Sequence, residues 1–210
     1  SGKTICGPVI ASAIEKALKM GESNACMKRI VAAPTAGACG VVPAVYLTLQ
    51  EQRHIDDERM LEAMYIASGV GGVIANRAFL AGAAGGCQAE IGSASSMAAA
   101  GAVYLAGGDT EAIIHAAAMA MKNLLGLACD PVAGLVEVPC VKRNVVGAVN
   151  ALSAADMALA GVRSIIPPDE VFDAMRSVGI SLPEAIRETG KGGLAETTTG
   201  QKIAQGLQHE

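Results

Sequence analysis

Apolar residues recur at helical spacing along most of this chain. In the first such stretch they are Val9, Ala13, Ala17 and Met20. The stretch begins at Pro8, which suits the first turn of a helix because the N–H that proline lacks would have no partner there. The pattern predicts a helix that ends at Gly21, since glycine is common just after a helix. A second short helix is predicted over residues 22–33, before Pro34.

Seven further helices are predicted from apolar periodicity and from capping residues at their ends. They cover 43–53, 56–69 with Asp56 as its cap, a segment through Val103 capped by Ser93 or Ser95, 111–125 capped by Asp109 or Thr110, 143–161, 171–179 and 183–187. The Gly- and Thr-rich tail, 188–200, is predicted to lie over the surface. No alternating pattern longer than five residues indicates a strand. We therefore predict an all-α fold, a single compact helical domain over residues 1–210.

The composition is rich in small apolar residues and poor in charge. Hydrophobic residues make up 51% of the chain and charged residues 17%, below the usual quarter. So little charge predicts that a partner chain or a second copy covers part of the surface. The net charge is −4 and no basic tract occurs, which argues against nucleic-acid binding.

Two features bear on location. Residues 91–108 carry no charge, but they are mostly Ala, Gly and Ser, which favour a buried helix over a membrane span. The chain opens with SGKTICGP, which is not a signal peptide. Its cysteines stand at irregular spacing, which is more typical of a reducing cytoplasm than of a disulfide framework. We therefore expect a cytoplasmic protein with no membrane contact.

Three of the six cysteines, Cys87, Cys129 and Cys140, stand among residues that end helices and form turns. Two helical segments separate the first from the second, so the thiols can converge at the ends of a helical pair and hold one iron–sulfur cluster. The alternative is three unrelated buried thiols, and spacing alone leaves both open because no CxxC pair occurs. Cys39 is either a small buried thiol or a fourth ligand.

Other polar positions also have two interpretations. The loop APTAGACGVVPAV offers the Thr35 hydroxyl and backbone N–H groups before a helix, which suits an anion, or it is a plain turn between helices. Asn76 and Arg77 are the strongly polar residues of an apolar tract, so they are either satisfied in the core or part of a site. His115 is predicted to be a satisfied histidine on a packed helix face, and Cys6 and Cys26 to be structural thiols.

Four segments carry a resemblance to a known family. They are APTAGACGVVPAV, ANRAFLAGAAGGCQAEIGSASSMAAAG, KNLLGLACDPVAGLVEVPCVKRN and RETGKGGLAETTTG. The chain resembles the alpha chain of the iron–sulfur-dependent L-serine dehydratases over essentially its whole length, most specifically in CDPVAGLVEVPCVKRN. Three cysteines of that family hold a [4Fe–4S] cluster. The resemblance therefore implies that Cys87, Cys129 and Cys140 are the cluster ligands.

The resemblance also implies a partner. Single-chain members of the family end in a cysteine that caps the fourth iron, whereas this sequence ends QKIAQGLQHE. It is therefore similar to the two-chain type, in which the beta chain is a separate polypeptide, and a hetero- or homo-oligomer is expected. Family members have residues ahead of SGKT, so a truncated N-terminus is expected.

The implied reaction converts L-serine to pyruvate and ammonia, a step of amino-acid degradation that can feed gluconeogenesis. Three thiolates would leave one iron open to act as a Lewis acid on the serine hydroxyl. The expected catalytic residues are Glu90 and Arg143, and the expected substrate-binding residues are Thr35, Asn76, Ser93, Lys142 and Asn144. The general base is not identified in this chain and is expected from the beta chain. An electron-transfer or sensing protein with Cys39 as fourth ligand is the alternative.

Overall fold

The structure is a computed structural model that describes residues 4–207. Its helices are α1 (Gly7–Ala25), α2 (Val41–Arg53), α3 (Asp57–Arg77), α4 (Gly82–Gly85), α5 (Ser93–Leu105), α6 (Thr110–Lys122), α7 (Cys140–Leu159), α8 (Pro168–Ser181) and α9 (Thr198–Leu207). A π-helical turn, Gln88–Gly92, leads into α5, and short 3-10 turns cover Val132–Gly134, Glu184–Ile186 and Gly193–Glu196. The described residues form no strand, so the predicted all-α class is confirmed.

Helix α5 lies at the centre of the fold. It packs against α2, α3, α6 and α7, and all of its residues except Tyr104 are buried. Its small side chains let these neighbours come close. At Gly101 the ring of Tyr46 fills the space that a Cβ would need, and the Tyr46 hydroxyl donates to the carbonyl of Ala63 at 3.1 Å. The predicted buried helix in residues 91–108 is therefore the core of the protein.

Several predicted helix ends are confirmed. The Asp56 carboxylate accepts a hydrogen bond of 2.8 Å from Arg59 N, and the Asp109 carboxylate accepts one of 2.7 Å from Ala112 N. Both are N-caps that satisfy a backbone donor of the first helical turn. Helix α8 begins at Pro168, three residues before the predicted start, because the fixed φ of proline suits the first helical position.

The predicted end of the first helix at Gly21 is wrong. Helix α1 continues to Ala25, and a Cβ at Gly21 would lie 3.1 Å from the Cα of Val141 in α7. Glycine is needed here for the close approach of two helices. The predicted helix over residues 22–33 is wrong as well, because its first part belongs to α1 and residues 28–33 are not helical.

Three other helix predictions are corrected. Helix α3 runs through the glycine-rich stretch after residue 69 and ends at Arg77. Ser93 and Ser95 do not cap α5, because the helix continues directly from the π-helical turn and both residues are fully buried. The predicted helix over 183–187 is only a 3-10 turn, and the tail behind it folds into a further turn and α9.

Part of the surface of the described residues is apolar. Large apolar side chains are exposed on α2, on α3 and on the segment before α2: Met27, Val31, Leu47, Leu61, Met64 and Tyr65.

Within residues 4–207, no helix combines the length and the apolar character that crossing a membrane would require.

Candidate metal-binding site at the ends of α5 and α7

The three predicted cysteines are brought together. Cys87 directly precedes the π-helical turn, Cys129 lies in the irregular segment after α6, and Cys140 is the first residue of α7. All three are buried. The thiols of Cys87 and Cys129 and a carboxylate oxygen of Glu90 lie within 4.8 Å of one another, and the Cys140 thiol lies beside that of Cys87. Cys87, Glu90 and Cys129 thus form one buried group, and the Cys140 thiol lies next to it.

Gln88 fixes the position of Cys87. This buried side chain accepts a hydrogen bond from Gly126 N at 2.9 Å and donates one to the carbonyl of Met175 at 3.0 Å, while its backbone N–H donates to Leu127 O at 3.1 Å. Gly86 turns the chain just before it with φ +76°, which glycine adopts readily. The π-helical turn that follows is a type of irregularity often found at functional sites. It aims Glu90 at the thiols.

Arg143 and Asp130 fix the position of Cys129. The guanidinium donates to Ala128 O and to the Asp130 carboxylate, each at 2.7 Å, and both side chains are largely buried. Asp130 also accepts from Leu194 N at 2.8 Å. Burial lowers the pKa of Arg143, but the Cys87 thiolate and Asp130 outweigh it and raise that pKa overall. Arg143 therefore stays charged beside the thiols, with two of its nitrogens engaged in holding the Cys129 segment.

The residues after α8 also contact the segment around Cys129. Cys129 N donates to Ile186 O at 2.8 Å, and Glu188 N donates to Cys129 O at 2.7 Å. The result is an isolated parallel bridge between Cys129 and Arg187. Most residues of the tail, 188–200, are exposed or half-buried, as predicted, and its first residue, Glu188, also contacts Cys129.

Glu90 is buried, with 8% of its surface exposed. Its carboxylate oxygens lie against Gly37 and Gly82, where a Cβ would come within 3.0 Å of them. Burial raises the pKa of Glu90, the Thr35 hydroxyl nearby lowers it and the charge of Glu188 raises it further. Within residues 4–207, the buried Thr35 Oγ1 makes no hydrogen bond of normal geometry. Two glycines thus leave room around a carboxyl group whose neighbour has an unused hydroxyl.

The thiols have perturbed acidity. Interaction with the Cys129 thiol, opposed by Cys140 and assisted by burial, raises the pKa of Cys87 to about 12. The Cys87 thiol, together with burial and the charge of Glu90, raises the pKa of Cys140 well above its ordinary value. A metal ion binds thiolates, so its binding would release these protons.

Asn144 is a structural residue. Its Nδ2 donates to the carbonyls of Gly37 at 2.8 Å and of Cys140 at 2.9 Å, and its Oδ1 accepts from Gly40 N at 2.8 Å. These contacts engage both N–H groups of the amide and its oxygen in holding the loop against α7. The N–H groups of residues 38–41 are likewise used within the loop or by Asn144, which removes them as donors for the anion site that the loop was predicted to offer.

The remaining expected residues separate into two groups. Ser93 lies one helical turn after Glu90, fully buried, and its Oγ has no hydrogen-bond partner in the described part of the chain. Lys142 is exposed, in a surface depression between Glu137 and the end of α1. Asn76 is exposed and donates to Gly72 O of its own helix at 2.8 Å. The structure therefore does not bring Lys142 or Asn76 to the thiols, because both face outward from their helices.

The other cysteines and the histidines lie elsewhere. Cys6 and Cys26 are exposed at the two ends of α1. The Cys39 thiol is buried and contacts the Met20 carbonyl at 3.8 Å, and burial raises its pKa to about 11.

His115 Nδ1 accepts from Ser164 N at 3.2 Å, so it is a satisfied histidine as predicted. His54 ends α2 at the surface, and His209 lies outside the described residues.

Sequence reasoning missed Gln88, Asp130 and Glu188. The first two are buried polar residues next to cysteines, and that adjacency was a usable signal because a buried polar group needs a partner. Glu188 carried no such signal, since its position depends on a backbone contact with a segment far away in sequence.

The donor set suits a metal. Thiolate ligands favour iron–sulfur clusters, zinc and copper(I), and the buried Cys–Glu–Cys group can bind a metal. The first residue of α7 supplies one thiol, where the N-terminal end of a helix favours a negative charge. The buried Arg143 guanidinium beside the thiols offsets part of the negative charge that thiolate ligands would carry.

Comparison with known proteins identifies the family of this chain. A family model described as "Serine dehydratase alpha chain" matches residues 1–195. The chain is 55% identical over 203 residues to the "Probable L-serine dehydratase, alpha chain" of Bacillus subtilis (strain 168), which covers 97% of this chain and 68% of that protein. The "L-serine dehydratase, alpha chain" of Peptoniphilus asaccharolyticus is 51% identical, with 97% and 70% covered. The "L-serine dehydratase TdcG" of Escherichia coli (strain K12) is 43% identical over 85% of this chain and 40% of its own length. This chain belongs to the serine dehydratase alpha chain family.

Proposed function

We propose that this chain is the alpha chain of an iron–sulfur-dependent L-serine dehydratase, an L-serine ammonia-lyase that forms pyruvate and ammonia. The observation that supports this most is the buried group of the Cys87 and Cys129 thiols and the Glu90 carboxylate, with the Cys140 thiol beside Cys87. The proposal treats residues 1–210 as a single catalytic domain. The relatives named L-serine dehydratase, at 43–55% identity, support the same substrate.

Cys87, Cys129 and Cys140 are the proposed ligands of a [4Fe–4S] cluster. Three protein thiolates would leave one iron without a protein ligand, and that iron would supply a Lewis acid for the substrate hydroxyl. Arg143 provides the positive charge beside the thiolates and holds the Cys129 segment through Ala128 O and Asp130. We therefore assign Arg143 a positioning role in place of direct contact with substrate.

Glu90 and Thr35 are the proposed groups that face the substrate. The Glu90 carboxylate is buried beside the thiols and can hold the ammonium group or take up a proton from the substrate. The Thr35 hydroxyl next to it has no other partner in residues 4–207 and can donate to the substrate carboxylate. Ser93, one turn further along, has a second hydroxyl without a partner in residues 4–207, and we assign it to the same substrate site.

A beta chain is the proposed partner. Two of the relatives carry "alpha chain" in their names, and large apolar side chains are exposed on α2 and α3. The two histidines in the described part of the chain are a satisfied residue on α6 and a surface residue after α2. A second chain is therefore the proposed source of the general base.

An electron-transfer or sensing protein is disfavoured by Cys39. Such a protein needs a fourth cluster ligand, and clusters of that kind are usually held by four cysteines. The Cys39 thiol points to the Met20 carbonyl and lines an apolar surface groove formed by α2, α3 and the end of α1. It is not part of the thiol group in this structure.

Anaerobic reconstitution with iron and sulfide, followed by a pyruvate assay with L-serine, tests the proposal. We expect iron and sulfide to bind and pyruvate to form, and air followed by a chelator to abolish both. Iron with reductant should restore activity. Full activity after prolonged treatment with air and chelator would refute cluster catalysis.

A further inference from the structure

Glu188 is held at the site by its backbone. Its N–H donates to Cys129 O at 2.7 Å, and the preceding Ile186 carbonyl accepts from Cys129 N at 2.8 Å. Its φ of +64° lies in the left-handed region, which a residue with a large side chain adopts rarely. The surrounding backbone contacts therefore fix the position of Glu188 beside Cys129.

The Glu188 carboxylate points to the same place as Glu90 and Cys129. An ideal Cβ on Gly82 would lie 2.9 Å from Cys129 Sγ, 3.0 Å from Glu90 Oε2 and 3.2 Å from Glu188 Oε2. The two carboxylates therefore face each other across Gly82, next to a thiol. Glu90 is buried, whereas Glu188 is exposed. Glu90 thus lies on the inner side of this site and Glu188 on its outer side.

Neither carboxylate has a cationic partner in residues 4–207. Arg143 is paired with Asp130 at 2.7 Å, and Lys191, three residues after Glu188, lies 3.9 Å from Glu184. Within the described residues, neither Glu90 nor Glu188 takes part in an ion pair, and the neutral Thr35 hydroxyl is the hydrogen-bonding side chain near Glu90. A buried carboxylate that is not paired costs free energy. The pair therefore suits a cation that arrives with a ligand.

We propose that Glu188 binds the α-ammonium group of the amino-acid substrate at the outer side of the site, opposite Glu90. This inference rests on the proposed function, because it places the hydroxyl of serine toward the thiols and the amino group toward Gly82. An ammonium group offers three donors to two facing carboxylates. Glu188 would thus select amino acids over hydroxy acids that lack the amino group.

The test compares two ligands that differ in the ammonium group. L-Alanine carries it and propionate does not, and neither has a hydroxyl to eliminate. Their binding to the reconstituted holoenzyme is measured by calorimetry and as competitive inhibition against L-serine. The variant is Glu188→Gln, which keeps the size of the side chain and removes its charge. The control is Glu184→Gln, which removes a carboxylate from the same segment that is exposed and lies beside Lys191.

For the wild type and Glu184→Gln we expect tighter binding of L-alanine than of propionate. In Glu188→Gln the preference should fall about tenfold or more, which is about 1.4 kcal/mol, and KM for L-serine should rise more than kcat falls. Iron and sulfide content should be unchanged. An unaltered preference and KM in Glu188→Gln would overturn the inference while leaving the proposed function intact.

Two other outcomes separate the hypotheses. If the wild type binds L-alanine but forms no pyruvate even with its beta chain added, the proposed function fails and the ligand comparison still decides the role of Glu188. If the wild type does not distinguish L-alanine from propionate, the ammonium site is refuted whatever the activity. Loss of iron in Glu188→Gln would assign Glu188 to cluster binding and would also overturn the inference.

Discussion

Asn144 Nδ2 donates a hydrogen bond of 2.8 Å to the carbonyl of Gly37, which lies 107 residues earlier in the chain. The same side chain accepts from Gly40 N at 2.8 Å and donates to Cys140 O at 2.9 Å. One amide thus joins the loop that carries Thr35 to the helix that begins with Cys140. The position of that loop over Glu90 therefore depends on α7.

Replacing Asn144 by Ala should destabilise the protein strongly. The change removes three hydrogen bonds and leaves the Gly40 N–H and the Gly37 carbonyl without their partner. We expect the free energy of unfolding to fall by about 2–4 kcal/mol, because unpaired buried polar groups are costly. Urea unfolding of the apoprotein measures it. Asn123→Ala, which loses one exposed hydrogen bond with Asn150, should cost under about 1 kcal/mol, and an equal loss in both variants would contradict the assignment.

Alanine at Gly37 and alanine at Gly72 should affect different properties of the protein. A Cβ at Gly37 would lie 3.0 Å from both carboxylate oxygens of Glu90, whereas Gly72 in α3 has open space around it. Gly37→Ala should displace Glu90 and lower kcat/KM for L-serine by about tenfold or more. Gly72→Ala should leave kcat/KM unchanged and raise the free energy of unfolding by about 0.5–1 kcal/mol, from helix propensity. Wild-type kinetics in Gly37→Ala would show that the carboxylate position is not needed.

Local chemistry made part of the fold predictable. Asp56 and Asp109 cap helices through a hydrogen bond to a residue three positions later, so the signal and its cause lie in the same short segment. Cys87 and Cys129 were expected in turns because Gly, Pro and Asp surround them, and the structure has them outside regular α-helix interiors.

Long-range packing explains what the sequence did not predict. Gly21 looks like a helix end, but the backbone of Val141, 120 positions later in the numbering, lies 3.1 Å from its ideal Cβ and requires glycine within the helix. The π-helical turn at Gln88 depends on contacts with Gly126 and Met175. Glu188 is held by Cys129. None of these causes lies in the segment that it shapes.

The six cysteines should divide into two sets. Cys87→Ala, Cys129→Ala and Cys140→Ala should each lose the cluster, because each removes one of the converging thiols. Cys6→Ala, Cys26→Ala and Cys39→Ala should keep it. Iron and sulfide analysis after anaerobic reconstitution measures the outcome, and Cys39→Ala is the matched control because its thiol is also buried. Iron content near that of the wild type in any of the first three variants would exclude that cysteine as a ligand.

Burial of Cys39 predicts a loss of stability in alkaline solution. Its pKa is raised from 9.0 to about 11, so the folded state favours the neutral thiol. The resulting stabilisation is fully present below pH 9 and is lost as the pH rises through 11. Between pH 8 and pH 11 the apoprotein should therefore lose about 1–3 kcal/mol more than Cys39→Ala does. Urea unfolding across this range checks it, with Cys26→Ala, an exposed thiol, as the control. Parallel pH profiles for wild type and Cys39→Ala would contradict the prediction.

The alpha chain should fold alone but turn over L-serine slowly until a beta chain is added. The charged fraction is only 17%, and large apolar side chains are exposed on α2 and α3, as expected for a surface that a partner covers. A base must come within hydrogen-bond reach of the proton that it removes, and His115 is already engaged with Ser164 N.

We therefore expect kcat to rise at least about 100-fold when the beta chain is added to the reconstituted alpha chain, which is the usual contribution of a general base. Circular dichroism checks that the alpha chain is folded beforehand, and a His115→Gln variant tested in the same way controls for that residue. Equal turnover with and without the beta chain would place the base in this chain, and Glu90 would then become its leading candidate.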